Sequence, residues 1–354
     1  MPAHAVNTRT DSYTCTVERG ILNRVVEYLP AKHGKIFVVT TEDVWKLHGA
    51  KLATQFPHEV LYFPGGEERK RLSSVEDLAD QMAARGADRT SIVIAFGGGI
   101  VGDLAGFLAA IFMRGIPFIQ VPTTLLAQVD ASIGGKTGGN LVNGKNLIGA
   151  FHQPRAVLID PEVLDTLPVR EYNAGLFEVI KTGIIRSPRL FELLTTQRDA
   201  VLSKQPDVVE EIISESVRIK CEVVTADEKE GDLRRILNFG HTVGHALESE
   251  TKYAKFLHGE AVSFGMTAAT YLAEFAGYLD VPTCKQILNA IDMYGPIPST
   301  EGITAQSLLV RLVKDKKTIQ GSVHFVLPDA IGSVKIVNNV APEKVLAAIE
   351  AALA

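Results

Sequence analysis

Five short apolar runs, rich in β-branched residues and bounded by Gly, Pro or Asp, mark the first half of the chain: Lys35 to Thr40, Glu59 to Phe63, Ser91 to Phe96, Phe118 to Pro122 and Ala156 to Ile159. Runs this continuously apolar suit strands buried on both faces, which is the habit of parallel sheets. Between the second and third, Ser73 to Arg85 carries Val75, Leu78, Ala79 and Met82 on one helical face, and Ser73 with Glu76 has capping-box spacing. Strands alternating with helices predict a parallel sheet.

From about Arg170 the pattern lengthens into amphipathic stretches: Glu171 to Ile185, Pro206 to Val224, His241 to Glu250, Gly259 to Gly277 and Pro342 to Leu353. One exception, Ser322 to Leu327 followed by Ser333 to Val337, alternates as a hairpin does. The expected architecture is an α/β N-terminal domain with a Rossmann-like parallel sheet over residues 1–169, then a mainly α-helical C-terminal domain over 170–354. The boundary is placed near Pro168 to Arg170.

A length of 354 residues fits about two domains. Lys and Arg number 36 against 41 Asp and Glu, a formal charge of −5, so the chain lacks the basic surface that nonspecific nucleic-acid binding needs. The longest apolar run, Leu104 to Met113, reaches about half the ~20 residues of a membrane-spanning helix and reads as a buried helix. The N-terminus lacks a basic start followed by an apolar stretch, so no secretory signal and no membrane partner are expected. Cys15, Cys221 and Cys284 are odd in number and scattered, which argues against a disulfide framework and for a reducing cytoplasm.

Gly97-Gly98-Gly99-Ile100-Val101-Gly102-Asp103 directly follows the run Ser91 to Phe96 and opens an apolar stretch. Glycines there let backbone approach a pyrophosphate while helix-terminal N–H groups face the anion. The plain alternative is a tight strand-to-helix turn. Because the spacing departs from Gly-x-Gly-x-x-Gly, the motif points to a nucleotide or phosphate without saying which. A second glycine-rich region runs from Gly134 through Lys136 and Asn140 to Lys145 and Asn146. Its Gly-Lys-Thr fails the phosphate-loop spacing, since Asp130 stands where the first Gly belongs. What remains is a loop presenting two lysines and amides, suited to a small anion or else simply solvated.

His241 and His245 are spaced i, i+4, so a helix projects both imidazoles from one face, and His258 follows in Leu257-His258-Gly259-Glu260. Three of the nine histidines of the chain fall in that window. Glu178 and Lys181 are i, i+3 on an otherwise apolar helix, where a carboxylate needs a partner such as a metal. Structural histidines are the alternative. If the set groups, Glu and His ligands with an open position suit a catalytic zinc or similar divalent ion.

Taken together these segments resemble the 3-dehydroquinate synthase family, within the sugar phosphate cyclases. The resemblance is carried by Gly65-Gly66-Glu67-Glu68-Arg69-Lys70, Gly97 to Asp103, Met113-Arg114-Gly115, Gln120-Val121-Pro122-Thr123-Thr124-Leu125-Leu126-Ala127-Gln128-Val129-Asp130, Gly134 to Gly138, Gly144-Lys145-Asn146, Glu178 to Lys181, Leu237 to His245 and Leu257 to Glu260, in order along almost the whole chain.

The resemblance implies an enzyme that binds NAD at the interface of an α/β and an α domain, holds zinc or cobalt, and acts as a homodimer. It implies conversion of 3-deoxy-D-arabino-heptulosonate 7-phosphate to 3-dehydroquinate and phosphate, a carbon–oxygen lyase step of the shikimate pathway to aromatic amino acids. The implied metal ligands are Glu178, His241 and His258. The implied NAD contacts are Glu67, Lys70, Gly98, Gly99, Asp103, Thr123, Thr124, Leu126, Asp130, Lys136, Lys145 and Thr166. The implied substrate contacts are Asp130, Lys136, Asn146, Lys181, Lys220, Arg234, Asn238, His245 and Lys316, with Arg114 given to the neighbouring subunit's phosphate site. One departure stands out: where the family usually has Thr-Asp-x-Asn, this chain reads Thr40-Thr41-Glu42-Asp43, which replaces the expected contacts to the adenosine end of NAD.

The chemistry of the residues agrees with that activity. Oxidation of a secondary alcohol makes the neighbouring C–H acidic enough for phosphate to leave, and a Glu/His-bound metal polarises the oxygen involved. Lys136, His245, Lys316, Asn146 and Asn238 suit the phosphate, and Lys220 with Arg234 suits a carboxylate. Return of the hydride leaves no net redox change, and ring opening with aldol closure then follows under geometric restriction. Three rivals are a cyclase making 2-deoxy-scyllo-inosose or 2-epi-5-epi-valiolone, whose substrates lack the carboxylate, a metal-dependent polyol dehydrogenase that releases NADH, and a non-catalytic NAD or zinc sensor.

Overall fold

The computed structural model describes residues 2–9, 11–314, 323–338 and 340–354. Its strands in the first half are β1 (Ala3–Asn7), β2 (Ser12–Val17), β3 (Ile36–Thr40), β4 (Glu59–Tyr62), β5 (Ile92–Gly97), β6 (Phe118–Pro122), β7 (Lys136–Leu141), β8 (Gly144–Phe151) and β9 (Ala156–Ile159). Seven of them form one sheet in the order β1-β2-β9-β6-β5-β3-β4, parallel throughout except for the β1–β2 pair. All five predicted runs are in it, but β4 is an edge strand with Glu59 and Tyr62 exposed and not a strand buried on both faces. The helices Leu72–Ala84 and Gly99–Ile111 cover one face, where Val75, Leu78, Met82, Leu104 and Leu108 pack on Phe37, Val93 and Phe118. Burial of these side chains is the main driving term for the layer.

Two local expectations are corrected, and two strands were not foreseen. The helix Leu72–Ala84 starts after Arg71, which is held extended by a bridge to Asn140, so Ser73 lies inside the first turn and no capping box with Glu76 forms. The region Gly134 to Asn146 is a β-hairpin, β7 with β8, and not a loop; its glycines are weak strand formers and hide the alternation. β1 and β2 also escape a periodicity search, being short and rich in Asn, Ser and Thr.

The chain divides into two compact units, Met1–Pro168 with Val209–Lys229, and Val169–Val208 with Glu230–Ala354. Thus most of the helix Pro206–Ala226 groups with the first unit, whereas a boundary drawn once at residue 169 puts it in the second. The second unit holds the helices Val169–Arg186, Pro188–Thr196, His241–Glu250, His258–Phe275, Val281–Asp292, Ala305–Lys314 and Pro342–Leu353, and the hairpin β10 (Phe325–Ala330) with β11 (Ser333–Val337). Ser322, the expected start of that hairpin, lies outside the described residues. No described helix is long and apolar enough to cross a membrane.

Candidate active site

In the second unit the helix Val169–Arg186 is buried all round from Ala174 to Ile185, which explains its lack of a polar face and leaves Glu178 only 1% exposed. Two further helices bring imidazoles to it. His258 opens the helix His258–Phe275, anchored where the Leu257 N–H donates to Glu260 Oε2 at 2.7 Å. His241 opens the helix His241–Glu250. The approach is close because of two glycines: a Cβ on Gly259 would stand 1.8 Å from the Ala174 carbonyl oxygen, and one on Gly265 would stand 1.8 Å from that of Gly240.

Glu178 Oε1 lies 3.9 Å from His241 Nε2 and 3.7 Å from His258 Nε2. Glu178 also forms an ion pair with Lys181, one turn along the same helix, yet neither carboxylate oxygen accepts a hydrogen bond from a described residue. Lys181 meets Oε2, so it is Oε1, buried and turned to the two imidazoles, that a further cation would complete. His241 Nδ1 lies 3.2 Å from the Phe239 carbonyl. That contact favours the tautomer with the proton on Nδ1 and directs the Nε2 lone pair at Glu178. The ligand atoms of Glu178, His241 and His258 lie within 4.8 Å of one another. Two nitrogens and one carboxylate oxygen are the donor set of a catalytic divalent-ion site, so the residues fit the ion.

The other second-unit candidates are placed as follows. The His245 ring is 5.4 Å from that of His241 and 5.9 Å from that of His258. Arg234 and Asn238 share the 3-10 segment Leu233–Asn238; Arg234 is 2% exposed, and Asn238 Nδ2 donates to Glu230 Oε1 at 2.6 Å. Lys316 lies outside the described residues.

In the first unit, β5 runs into Gly98, the N-cap of the helix Gly99–Ile111. Thr124 and Leu126 lie over this turn: the Thr124 methyl is 3.1 Å from the Cβ position of Gly98, and Leu126 Cδ2 is 3.8 Å from that of Gly99. The Thr123 N–H donates to the Gly97 carbonyl at 2.9 Å. Asp130 sits in a π-helical turn, Ala127–Ala131, a conformation that concentrates at functional sites. Lys220 Nζ donates to its carbonyl at 2.5 Å and pairs with its carboxylate. Lys70, also buried, donates to Asp103 Oδ2 at 2.5 Å and to Asn146 Oδ1 at 2.7 Å. Burial pushes the Asp103 carboxyl up from its ordinary range, and Lys70 opposes that. Lys145 Nζ lies 3.9 Å from Glu67 Oε1, and Lys136 begins β7 on the exposed side.

Two first-unit candidates stand apart in their contacts. Thr166 ends the 3-10 segment Pro161–Thr166, donates to the Val163 carbonyl at 3.0 Å and meets His48 Nε2 at 2.9 Å. Arg114 is exposed with φ 71°, after Met113 with φ 48°, a strained pair that non-glycine residues seldom adopt. At the departure from the family pattern, Thr41 precedes the helix Glu42–His48 as its N-cap without a side-chain hydrogen bond.

Sequence reasoning passed over Glu248. It is buried, and its Oε2 lies 3.6 Å from His258 Nδ1, the nitrogen turned away from Glu178. Its signal was its spacing, i+3 from His245 on the histidine-bearing helix. A carboxylate behind a ligating imidazole orients the ring and raises its basicity.

Comparison with known proteins agrees with this layout. Residues 60–174 match the family model of the 3-dehydroquinate synthase N-terminal region, and residues 175–318 match that of the C-terminal region. A 3-dehydroquinate synthase of Solibacter usitatus is 60% identical over 357 residues, spanning 100% of both chains, and one of Koribacter versatilis is 47% identical over 98% of this chain and 96% of its own. Among solved structures, 2-epi-5-epi-valiolone synthase of Streptomyces hygroscopicus with NAD+ and Zn2+ bound superposes with a TM-score of 0.90 at 28% identity, covering 98% of each chain. The 2-deoxy-scyllo-inosose synthase complexed with carbaglucose-6-phosphate, NAD+ and Co2+ gives 0.88 at 26% identity, covering 99% of each. A probable glycerol dehydrogenase of Sinorhizobium meliloti, at 15% identity and a TM-score of 0.69 over 96% of each chain, shares the fold. The chain belongs to the 3-dehydroquinate synthase family.

Proposed function

We propose that the chain converts 3-deoxy-D-arabino-heptulosonate 7-phosphate to 3-dehydroquinate and phosphate, the ring-closing step toward aromatic amino acids, working in the cytoplasm as a homodimer. The observation that carries the reading is the buried Glu178 carboxylate, whose Oε2 pairs with Lys181 while its Oε1 faces the Nε2 atoms of His241 and His258. Three free, buried cysteines suit the reducing compartment.

Glu178, His241 and His258 would hold a divalent ion, zinc or cobalt, as in the cyclase relatives that carry Zn2+ or Co2+ beside NAD+. When bound, NAD takes and returns one hydride, and the ion polarises the substrate oxygen at which the oxidation occurs. The chain's own residues do the rest. The Gly98–Gly99 turn with Thr123, Thr124 and Leu126 would supply the backbone and side-chain set for the dinucleotide, and Lys70 and Asp103, charge-paired with each other, are assigned to it as well.

Lys136, Asn146, Asn238, His245 and Lys316 are assigned to the phosphate, Lys220 and Arg234 to the carboxylate, and Arg114 to the phosphate of the partner's site. Arg234 favours this substrate over the neutral sugar phosphates of the rival cyclases. Lys220 and Arg234 are cations of the kind a substrate carboxylate needs and a neutral sugar does not. Lys181 and Asp130, each ion-paired in the structure, are assigned to the proton that leaves and returns at the oxidised hydroxyl oxygen.

The test is incubation of the purified chain with the heptulosonate phosphate, NAD and zinc. One inorganic phosphate and one 3-dehydroquinate should appear per substrate consumed. Turnover of a neutral sugar phosphate in preference to the heptulosonate would overturn the reading in favour of a rival cyclase, and binding without phosphate release would favour a sensor.

A further inference from the structure

The β7–β8 hairpin carries an irregularity that its sequence does not require. Its ladder pairs Gly139 with Ile148 and Leu141 with Gly144, so Asn140 alone stands opposite Lys145, Asn146 and Leu147 and the extra residues lie in β8. Bulges of this kind re-aim a side chain. Here the bulge brings Asn146 against Asn140, whose amide is 7% exposed and also meets Glu67.

Asn140 Nδ2 donates to Glu67 Oε1 at 2.7 Å and to the Glu67 carbonyl at 3.0 Å, and its Oδ1 accepts from the Asn146 N–H at 2.8 Å. Its own N–H donates to the Lys70 carbonyl at 2.6 Å. Asn146, at a left-handed φ of 52°, in turn accepts from Lys70 Nζ through its Oδ1 at 2.7 Å. Asn140, Asn146 and Lys70 therefore close a ring of hydrogen bonds, with Glu67 tied to it. An amide suits position 140, because one end donates to a carboxylate while the other accepts from an N–H.

We infer that Asn140 is a positioning residue, holding the Glu67 carboxylate and, through the Asn146 N–H, the backbone of Asn146 where cofactor and sugar phosphate need them. The inference rests on the assignment of Glu67 and Lys70 to NAD and of Asn146 to the substrate. It adds a coupling between them: one amide sets a group on each side, so its loss is felt in both affinities.

The experiment is a double-mutant cycle on the full zinc-loaded chain, reading NAD affinity by calorimetry. Glu67→Ala and Asn140→Asp should each weaken NAD by on the order of tenfold, the second because two carboxylates then face each other. In the Glu67→Ala background Asn140→Asp should change NAD affinity less than twofold. Glu67→Gln with Asn140→Asp, which reverses donor and acceptor, should recover most of the loss. Asn140→Ser, which removes both contacts without adding charge, should raise the KM for the sugar phosphate more than Asn140→Asp does, and it replaces Asn140→Asp in the cycle if that variant does not fold. Equal losses in both backgrounds would show a general structural role and overturn the inference. No effect of either Asn140 variant on NAD would do the same. If Glu67→Ala alone leaves NAD affinity unchanged, the cofactor assignment fails and the inference falls with it.

Discussion

Lys181 and Glu178 are ion-paired on one turn of a single helix, their side chains 2% and 1% exposed. The ammonium and a divalent ion therefore draw on the same carboxylate. Lys181→Met should tighten zinc, on the order of tenfold, because the competing cation is gone, while lowering turnover by on the order of a hundredfold through loss of a group at the reacting centre. Chelator competition reads the first and steady-state kinetics the second. Weaker zinc binding in this variant would refute the arrangement.

Glu248 stands behind His258 on the side away from Glu178. Glu248→Gln should weaken metal binding by about 10-fold to 100-fold, the usual cost of removing a carboxylate behind a ligating imidazole. The visible spectrum of the cobalt-loaded protein should keep its tetrahedral bands, since the three ligands remain. Unaltered metal affinity would leave Glu248 a packing residue, and loss of the tetrahedral bands would make it a ligand.

How far such a site was legible in advance differs by residue. His241, His245 and Glu178 announce themselves by helical spacing and by a charge in an apolar stretch, because a helix converts i, i+3 and i, i+4 into one face. The five strands are equally plain from their β-branched and aromatic residues and flanking Gly, Pro or Asp, although the edge strand β4 is largely exposed. Glu248 was not seen because a carboxylate on a partly polar helix looks like a solvated one. The β7–β8 hairpin was missed because its glycines erase the period-2 signal that marks a strand, and with it went the reason Asn140 faces inward. The grouping of the helix Pro206–Ala226 with the first unit depends on contacts distant in sequence, such as His4 Nε2 with Ser214 Oγ at 3.1 Å, which no local pattern encodes.

Arg234 carries the choice of substrate. Arg234→Ala should cost about 2 to 5 kcal/mol in kcat/KM for the heptulosonate phosphate, the loss on breaking a desolvated charge pair, while NAD affinity stays within twofold. Kinetics that do not change would mean that no carboxylate is recognised there.

Arg114, exposed and in a strained conformation, is assigned to the partner's site. Arg114→Ala and His258→Ala should each be inactive alone and partly active when mixed, because a heterodimer keeps one site with both an intact metal set and an arginine from across the interface. With free exchange at equal amounts, about one site in four is restored. Separately tagged chains confirm that heterodimers form, and heterodimers without activity would show that Arg114 does not act in trans.

The central claim is that a hydride leaves the substrate and returns to it within one turnover. Heptulosonate phosphate bearing deuterium on the carbon that is oxidised, incubated with the zinc-loaded chain, NAD and unlabelled NADH in the medium, tests this by mass spectrometry of the cyclic product. The account predicts full retention of deuterium in 3-dehydroquinate, one phosphate released per product and no net change in NADH absorbance. Loss of the label to the NADH pool, with NADH rising in step with substrate consumed, would contradict it and make the chain a dehydrogenase.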